Sequence, residues 1–446
     1  MKKIIVLIII IVLLAIAFFI VKPRISNNYY IKGQQSVDSL KYEMAVDLLS
    51  KSIKFNKKNS QALLARGNSY YQLNEFENAL NDFNLLLVLE ENSFEGLFGK
   101  GLVLIKMKDY LKATESLKKA NSLNNNNSDL YYFLGYSKLV LTEYEEALEY
   151  LNKAIKLESN YADAYHQRGI VKANLGDLEG SIEDFNDALK LDKDNLDAYQ
   201  RRVKYRINKA DYNGAIEDYN SIIELDSENQ DAYYQRGYFK LQIKDFNGAI
   251  KDFDKSIQIN SKDAKSYKKR GNAKFALKEY DEAIKDYDKS SQLDINDEEP
   301  HYRKGTALIY KSELTAAVKC FNKAISLKKD YYEVYYIRGV AQAMQSKYEL
   351  SLKDFDLAIK YNKSFYDAYL GRATSLGMLE KHNLAIDDYN FYIKHITNNG
   401  NAYINRGVSR INIEDFDGGC ADFKKALDLG VEKAQDMLNI YCTSSN

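Results

Sequence analysis

The chain has 446 residues, 63 basic against 63 acidic side chains and therefore a formal net charge of zero, with 45% hydrophobic residues and only two prolines. That length exceeds what one hydrophobic core usually serves. The balanced charge argues against a nucleic-acid partner, whose phosphates are met by an excess of lysine and arginine.

Taken in order, the chain begins with an apolar run over residues 4–21, flanked by Lys2 and Lys3 on one side and by Lys22 and Arg24 on the other. The run is long enough to cross a bilayer as a helix, so residues 1–25 are expected to form a membrane anchor and a short linker, with Pro23 falling after the first segment. Ala15-Ile16-Ala17 has the small-x-small form of a cleavage site, which keeps a cleaved signal peptide and secretion open as the alternative. Phe18 to Val21 continue the apolar run beyond that site, which favours the anchor. The flanking charges nearly balance. The short amino-terminal tail, with its own amino group, favours an orientation that leaves the rest of the chain on the non-cytosolic side.

From residue 26 a period of 34 takes over. Steps of 34 from Gly271 land on Gly33, Gly67, Gly101, Gly135, Gly169, Val203, Gly237, Gly305, Gly339, Ala373 and Gly407. Twelve residues later stands a small residue in every unit, among them Ala45, Ala147, Ala249, Ala283 and Ala385. Four further on stands a large one, such as Leu49, Phe185, Phe253, Tyr287 and Phe423. A fixed period between 20 and 50 residues marks a stacked repeat array, in which each unit packs only on its neighbours and no single core limits the length.

This pattern resembles the tetratricopeptide repeat (TPR) family. With the glycine column counted as position 8, the chain keeps the family's glycine at 8, alanine at 20 and aromatic at 24. It departs at position 4, where Tyr (Tyr165, Tyr233, Tyr267, Tyr335) replaces Trp, at position 7, where Arg is usual, and at position 32, which is never proline. The resemblance implies an all-α, right-handed α-solenoid of about twelve helix-turn-helix units, to which the apolar run adds an N-terminal transmembrane helix and the apolar stripe after the last unit a C-terminal capping helix. The units are 26–59, 60–93, 94–127, 128–161, 162–195, 196–229, 230–263, 264–297, 298–331, 332–365, 366–399 and 400–433, and the capping helix and tail occupy 434–446.

Asn59, Ser93, Asn127, Asn195, Asn229, Asp263, Asp297 and Asn399 stand at the joints between units, each able to N-cap the helix that follows. Pro300 falls in the first turn of its unit, where a helix tolerates it. Glycine inside a helix costs about 1 kcal/mol relative to alanine, so the column needs a packing reason. Close approach of the two helices where Gly271 opposes Ala283 supplies it.

A covariation within the chain points to an ion pair. Arg at position 7 (Arg66, Arg168, Arg202, Arg236, Arg270, Arg338, Arg372, Arg406) always comes with Asp at position 23 (Asp82, Asp184, Asp218, Asp252, Asp286, Asp354, Asp388, Asp422). Where position 7 is Lys32, Lys100, Leu134 or Lys304, the aspartate is missing. In an antiparallel hairpin with its turn near position 15 these positions lie level, which predicts a bridge such as Arg270 to Asp286.

Val431, Ala434, Leu438 and Tyr441 form the apolar stripe of a capping helix, and an antiparallel arrangement about Gly430 brings Cys420 near Cys442. A disulfide, which belongs to an oxidising compartment, and two buried thiols both stay open. The tail also resembles the ends of many bacterial TPR proteins.

No catalytic, metal or cofactor motif stands out. His166, His301, His382 and His395 lie in separate units with no ligand spacing, and no phosphate loop or nucleophile elbow occurs. An enzyme therefore ranks last. The resemblance implies a concave binding groove on helix A, to which positions 5, 6 and 9 contribute Phe98, Tyr132, Tyr136, Arg201, Lys204, Tyr234, Tyr238, Lys268, Lys269, Arg303 and Tyr336. Aromatics interleaved with Arg are what interface hot spots favour, and the basic centre suits an acidic or C-terminal segment of a protein partner. Lys268 and Asn272 match the start of the family's chaperone-binding clamp, but Arg303, Glu333 and Ile337 do not continue it. The expected function is a membrane-anchored scaffold or adaptor for a protein or peptide. A structural part of an envelope or secretion assembly, built by repeat stacking, is the alternative.

Overall fold

The structure is a computed structural model that describes residues 2–442, with side chains for residues 8–10 and from 21 onward. The described residues are all-helical, arranged within residues 1–211 and within residues 212–446 as successive antiparallel hairpins, with one final helix. The hairpin of α15 (Ala264–Ala276) and α16 (Tyr280–Leu293) shows the plan. Helix A is opened by Asp263, whose carboxylate accepts the Ser266 amide. The same cap is made by Asn59, Ser93, Asn127, Asn195, Asn229 and Asn399. Asp297 departs from the expectation. Its unit places Pro300 in the first turn and starts its helix A at Glu299, so Asp297 lies outside the cap position and bonds the Glu299 amide instead.

In the turn after each helix A, position 15 adopts the left-handed backbone region. The φ values are 64° at Lys278, 62° at Thr142 and 88° at Gly176, and the following amide bonds back across the turn, as Glu279 N to Lys274 O at 2.9 Å. Within each of the chain's compact units this sharp reversal lays helix B against helix A, as α16 against α15. The small column at position 20 is fully buried, and the position-24 side chains Leu49, Phe83, Phe185, Phe253, Tyr287, Phe321 and Phe423 are the largest core residues. The position-8 glycines make room chiefly for those rings. A Cβ on Gly305 would stand 2.4 Å from Phe321 Cε1, and one on Gly271 would stand 2.8 Å from Tyr287 Cε1. The expected approach to position 20 is also present, through the backbone carbonyls of Ala147, Ser181 and Gly419 at 3.1–3.2 Å.

The chain divides into two compact units, 1–211 and 212–446. The boundary falls in the turn of the sixth repeat.

The amino-terminal expectation is corrected. Among the described residues no helix is long and apolar enough to cross a membrane, so the single-pass membrane localisation is withdrawn. Side chains 4–7 and 11–20 of the expected span lie outside the described residues. Residues 22–25 are no linker either. Helix α1 (Lys2–Asp38) runs through them with Pro23 inside it, and its Ser26 hydroxyl bonds Ser52 of α2 (Tyr42–Phe55) at 2.9 and 3.1 Å. The segment is thereby built into the first hairpin as helix A.

At the other end, α24 (Phe416–Asp428) turns at Gly430 (φ 85°) into α25 (Lys433–Tyr441), which seats Ala434 fully buried. Cys420 and Cys442 are joined by a disulfide that ties α25 back to α24.

Candidate functional site

Two sets of side chains leave each helix A on different sides, because positions 4, 7 and 11 share one face and positions 5, 6 and 9 share another. The first set forms a ladder. Arg270 donates to both carboxylate oxygens of Asp286 at 2.9 and 2.5 Å, and its third nitrogen reaches Asp254 of the preceding hairpin at 2.6 Å. Its guanidinium lies 5.4 Å from the centre of the Tyr267 ring, and Lys274 adds a second cation to Asp286 at 2.9 Å. Burial works against the Arg270 charge, but Asp286 and Asp254 outweigh it and hold its pKa above the ordinary arginine value.

The same fork recurs at Arg66, Arg168, Arg236, Arg338, Arg372 and Arg406, with the preceding hairpin's Ser50, Asn152, Asn220, Asn322, Asp356 and Asn390 taking the third nitrogen. Each arginine thus joins its own two helices and also the hairpin before it. The position-4 tyrosines stand 5.3–5.5 Å from the guanidinium in the units of Arg168, Arg236, Arg270, Arg338, Arg372 and Arg406, and Lys172, Lys240 and Lys274 at position 11 add a second cation to the aspartate. Sequence comparison of the columns found the fork but missed the inter-hairpin contact at position 25, whose Asn and Asp residues carried the signal.

The second set carries the expected groove residues. In residues 1–211, Phe98 on α5 (Phe94–Lys106) meets Phe133 at 6.1 Å between ring centres. Tyr132 on α7 (Ser128–Val140) meets Phe133, Tyr161 and Tyr136 at 5.0, 5.0 and 6.5 Å, and Tyr136 meets Tyr110 at 6.2 Å. Burial pushes the Tyr132 phenol well above its usual range. Phe98, Tyr132 and Tyr136 are therefore brought together as a continuous aromatic run. Arg201 and Lys204 stand apart from it on α11 (Leu196–Asn208). Arg201 pairs with Asp197 at 2.7 Å, and Asp197 also lies 2.9 Å from His166 Nε2. Burial pushes the His166 imidazole below its ordinary pKa, against the pull of Asp197 and with help from Arg201. Lys204 is exposed.

In residues 212–446 the face is charged. Lys268, only 14% exposed, is held by Asp297 at 2.6 Å and Glu299 at 2.9 Å. Arg303, 45% exposed, reaches Glu299 at 3.2 Å. Burial works to raise Glu299, yet Lys268, Arg303 and Lys269 outweigh it and hold the carboxyl below its usual range. Lys269 has no ion-pair partner among the described residues. Its ammonium lies 5.5 Å from the centre of the Tyr238 ring, and burial, with Lys268 and Arg303 beside it, pushes its pKa down. The basic centre expected from the sequence is thus narrower than the residue types suggested, because Lys268 is spent on two carboxylates. Tyr234 packs on Phe253 at 5.9 Å, and Tyr336 packs on Phe365 and Phe355 at 5.0 and 5.9 Å, so these rings are partly claimed by packing within their own repeats. Among the described residues no group of His, Cys, Asp and Glu could hold a metal ion.

Comparison with known families returns repeat models along the chain. A model described as anaphase-promoting complex, cyclosome, subunit 3 matches residues 78–154. A TPR repeat model matches 142–176, and tetratricopeptide repeat models match 162–195, 230–263 and 302–369. No curated protein matches the chain. Solved structures with a similar course include the APC/C hetero-tetramer Cut9-Hcn1, with 14% identity, a TM-score of 0.44 and coverage of 94% of this chain and 96% of that one. MamA has 23% identity, a TM-score of 0.36 and coverage of 38% and 92%. YrrB, titled a TPR protein with an unusual peptide-binding site, has 24% identity, a TM-score of 0.30 and coverage of 49% and 95%.

Proposed function

The chain is a tetratricopeptide-repeat protein, and we propose that it serves as a scaffold that holds a protein or peptide partner on the position 5, 6 and 9 face of its A helices. In this reading an acidic segment of the partner docks at Lys269 and Arg303. The observation that carries it is the state of Lys269, a cation drawn over the Tyr238 ring with no carboxylate of its own, while its neighbour Lys268 is fully engaged. An incoming carboxylate would supply the missing charge and complete an aromatic-plus-cation anchor of the kind that dominates interface energetics. The run from Phe98 through Tyr132 to Tyr136 offers apolar side chains a separate surface.

The test is affinity capture of partners by the wild-type chain and by Lys269→Glu with Arg303→Glu, leaving Lys268 in place because its loss would take a cation from two half-buried carboxylates. Loss of a partner in the charge-reversed chain supports the reading. Unchanged partners refute it, and if self-assembly is lost instead, an array built by repeat stacking replaces it.

A further inference from the structure

Three rungs of the ladder carry a position-7 cation without its acid: Lys32 with Leu48, Lys100 with Ser116 and Lys304 with Cys320. In the third repeat, position 7 is Lys100 and position 23 is Ser116. Of the other departures from the fork, Lys304 reaches Asp288 of the preceding hairpin at 2.6 and 2.8 Å, the Leu134 unit fills the place with Tyr150, stacked on Tyr131 at 6.3 Å, and Lys32 is exposed to solvent. Lys100 has no ion-pair partner among the described residues, and Ser116 is a buried residue, 6% exposed. Both line a cavity of about 450 Å³, within the usual range for small-ligand sites. Leu87, Leu97 and Leu123 supply its apolar wall.

We propose that this cavity binds a carboxylate with a short apolar body, its oxygens taking the position that aspartate holds in the other rungs, between Lys100 and Ser116. The chemistry that selects it is written in the repeats that keep the fork, such as the second, where the position-7 cation Arg66 is met by the Asp82 carboxylate. The charge around the cavity limits the ligand further. Lys112 is held by Asp109 at 2.7 Å. Lys100 and Lys119 then face Glu91 and Glu115, a balance that admits one carboxylate and opposes a phosphate dianion. Position 7 points away from Phe98, the position-5 residue of the same helix, so the site is separate from the face proposed for partners.

N-acetyl-leucine, its amide, and an acetylated tetrapeptide ending in leucine serve as probes of the full chain by titration calorimetry. The acid is expected to bind saturably and the amide at least tenfold more weakly. Ser116→Asp rebuilds the internal acid and is expected to abolish binding while the chain stays folded, and Lys100→Ala is expected to weaken binding at least tenfold. Tighter binding of the tetrapeptide assigns the carboxylate to a protein terminus, and tighter binding of N-acetyl-leucine assigns it to a small acid. Absence of saturation, equal binding of acid and amide, or full binding by Ser116→Asp overturns the proposal.

Discussion

Arg270→Ala is the most informative perturbation of the ladder. Asp286 is 3% exposed, and the substitution removes both hydrogen bonds from the fork while leaving the carboxylate in place with Lys274 alone at 2.9 Å. Breaking a buried pair from one side costs about 3–5 kcal/mol, and the surviving lysine moves the expectation to the lower end, about 3 kcal/mol. The inter-hairpin bond to Asp254 is worth less, because that carboxylate is 53% exposed; Asp254→Ala is expected to cost about 0.2–1 kcal/mol. In the cycle of Arg270→Ala, Asp286→Ala and the double variant, the coupling should reach about 2 kcal/mol, within the range found for residues in contact. A repeat array does not unfold as one unit, so the readout is native-state hydrogen exchange of the amides of α15 and α16. A 3 kcal/mol loss corresponds to an acceleration on the order of a hundredfold. Additive single effects, with coupling within about 0.3 kcal/mol of zero, would refute the bridge as a stabilising contact.

Gly305→Ala places a methyl group 2.4 Å from the Phe321 ring; overpacking costs about 1–3 kcal/mol against a gain of up to about 1 kcal/mol in helix propensity, so a net loss of stability in local exchange is expected and a net gain would contradict the packing account. His166, lowered in the folded chain chiefly by burial, contributes stability that is complete above its unfolded value of about 6.5 and is lost as pH falls through its lower folded value. His166→Gln should therefore shrink the drop in thermal midpoint between pH 7.5 and pH 5, and an undiminished drop would count against that assignment. Reduction of the Cys420–Cys442 disulfide opens a loop with a sequence separation of 22 and should cost about 3 kcal/mol, seen as faster exchange confined to α25 and the adjoining part of α24. Exchange unchanged by reductant would show that packing at Ala434 holds the cap unaided.

The sequence by itself determined the repeating hairpin, because helix periodicity is local. The spacing of Gly271, Ala283 and Tyr287 places a gap, a small residue and a ring at fixed levels of two helices joined by a short turn. Even the Arg270 and Asp286 pair was legible, since columns that vary together across units act as an internal alignment. What only the tertiary structure decided concerns side chains competing for the same partner. Lys268 and Lys269 are adjacent and chemically alike, yet Asp297 and Glu299 from the next hairpin capture one and leave the other over Tyr238. Position 25 gained its meaning only when Asp254 met the arginine of the following hairpin. The union of Cys420 with Cys442 depended on where Gly430 sent the last helix, and the apolar start of the chain proved to be continuous with the first hairpin's helix A. In each case the deciding quantity is a distance between groups on different helices, set by how hairpins lean on one another and absent from the pattern along the chain.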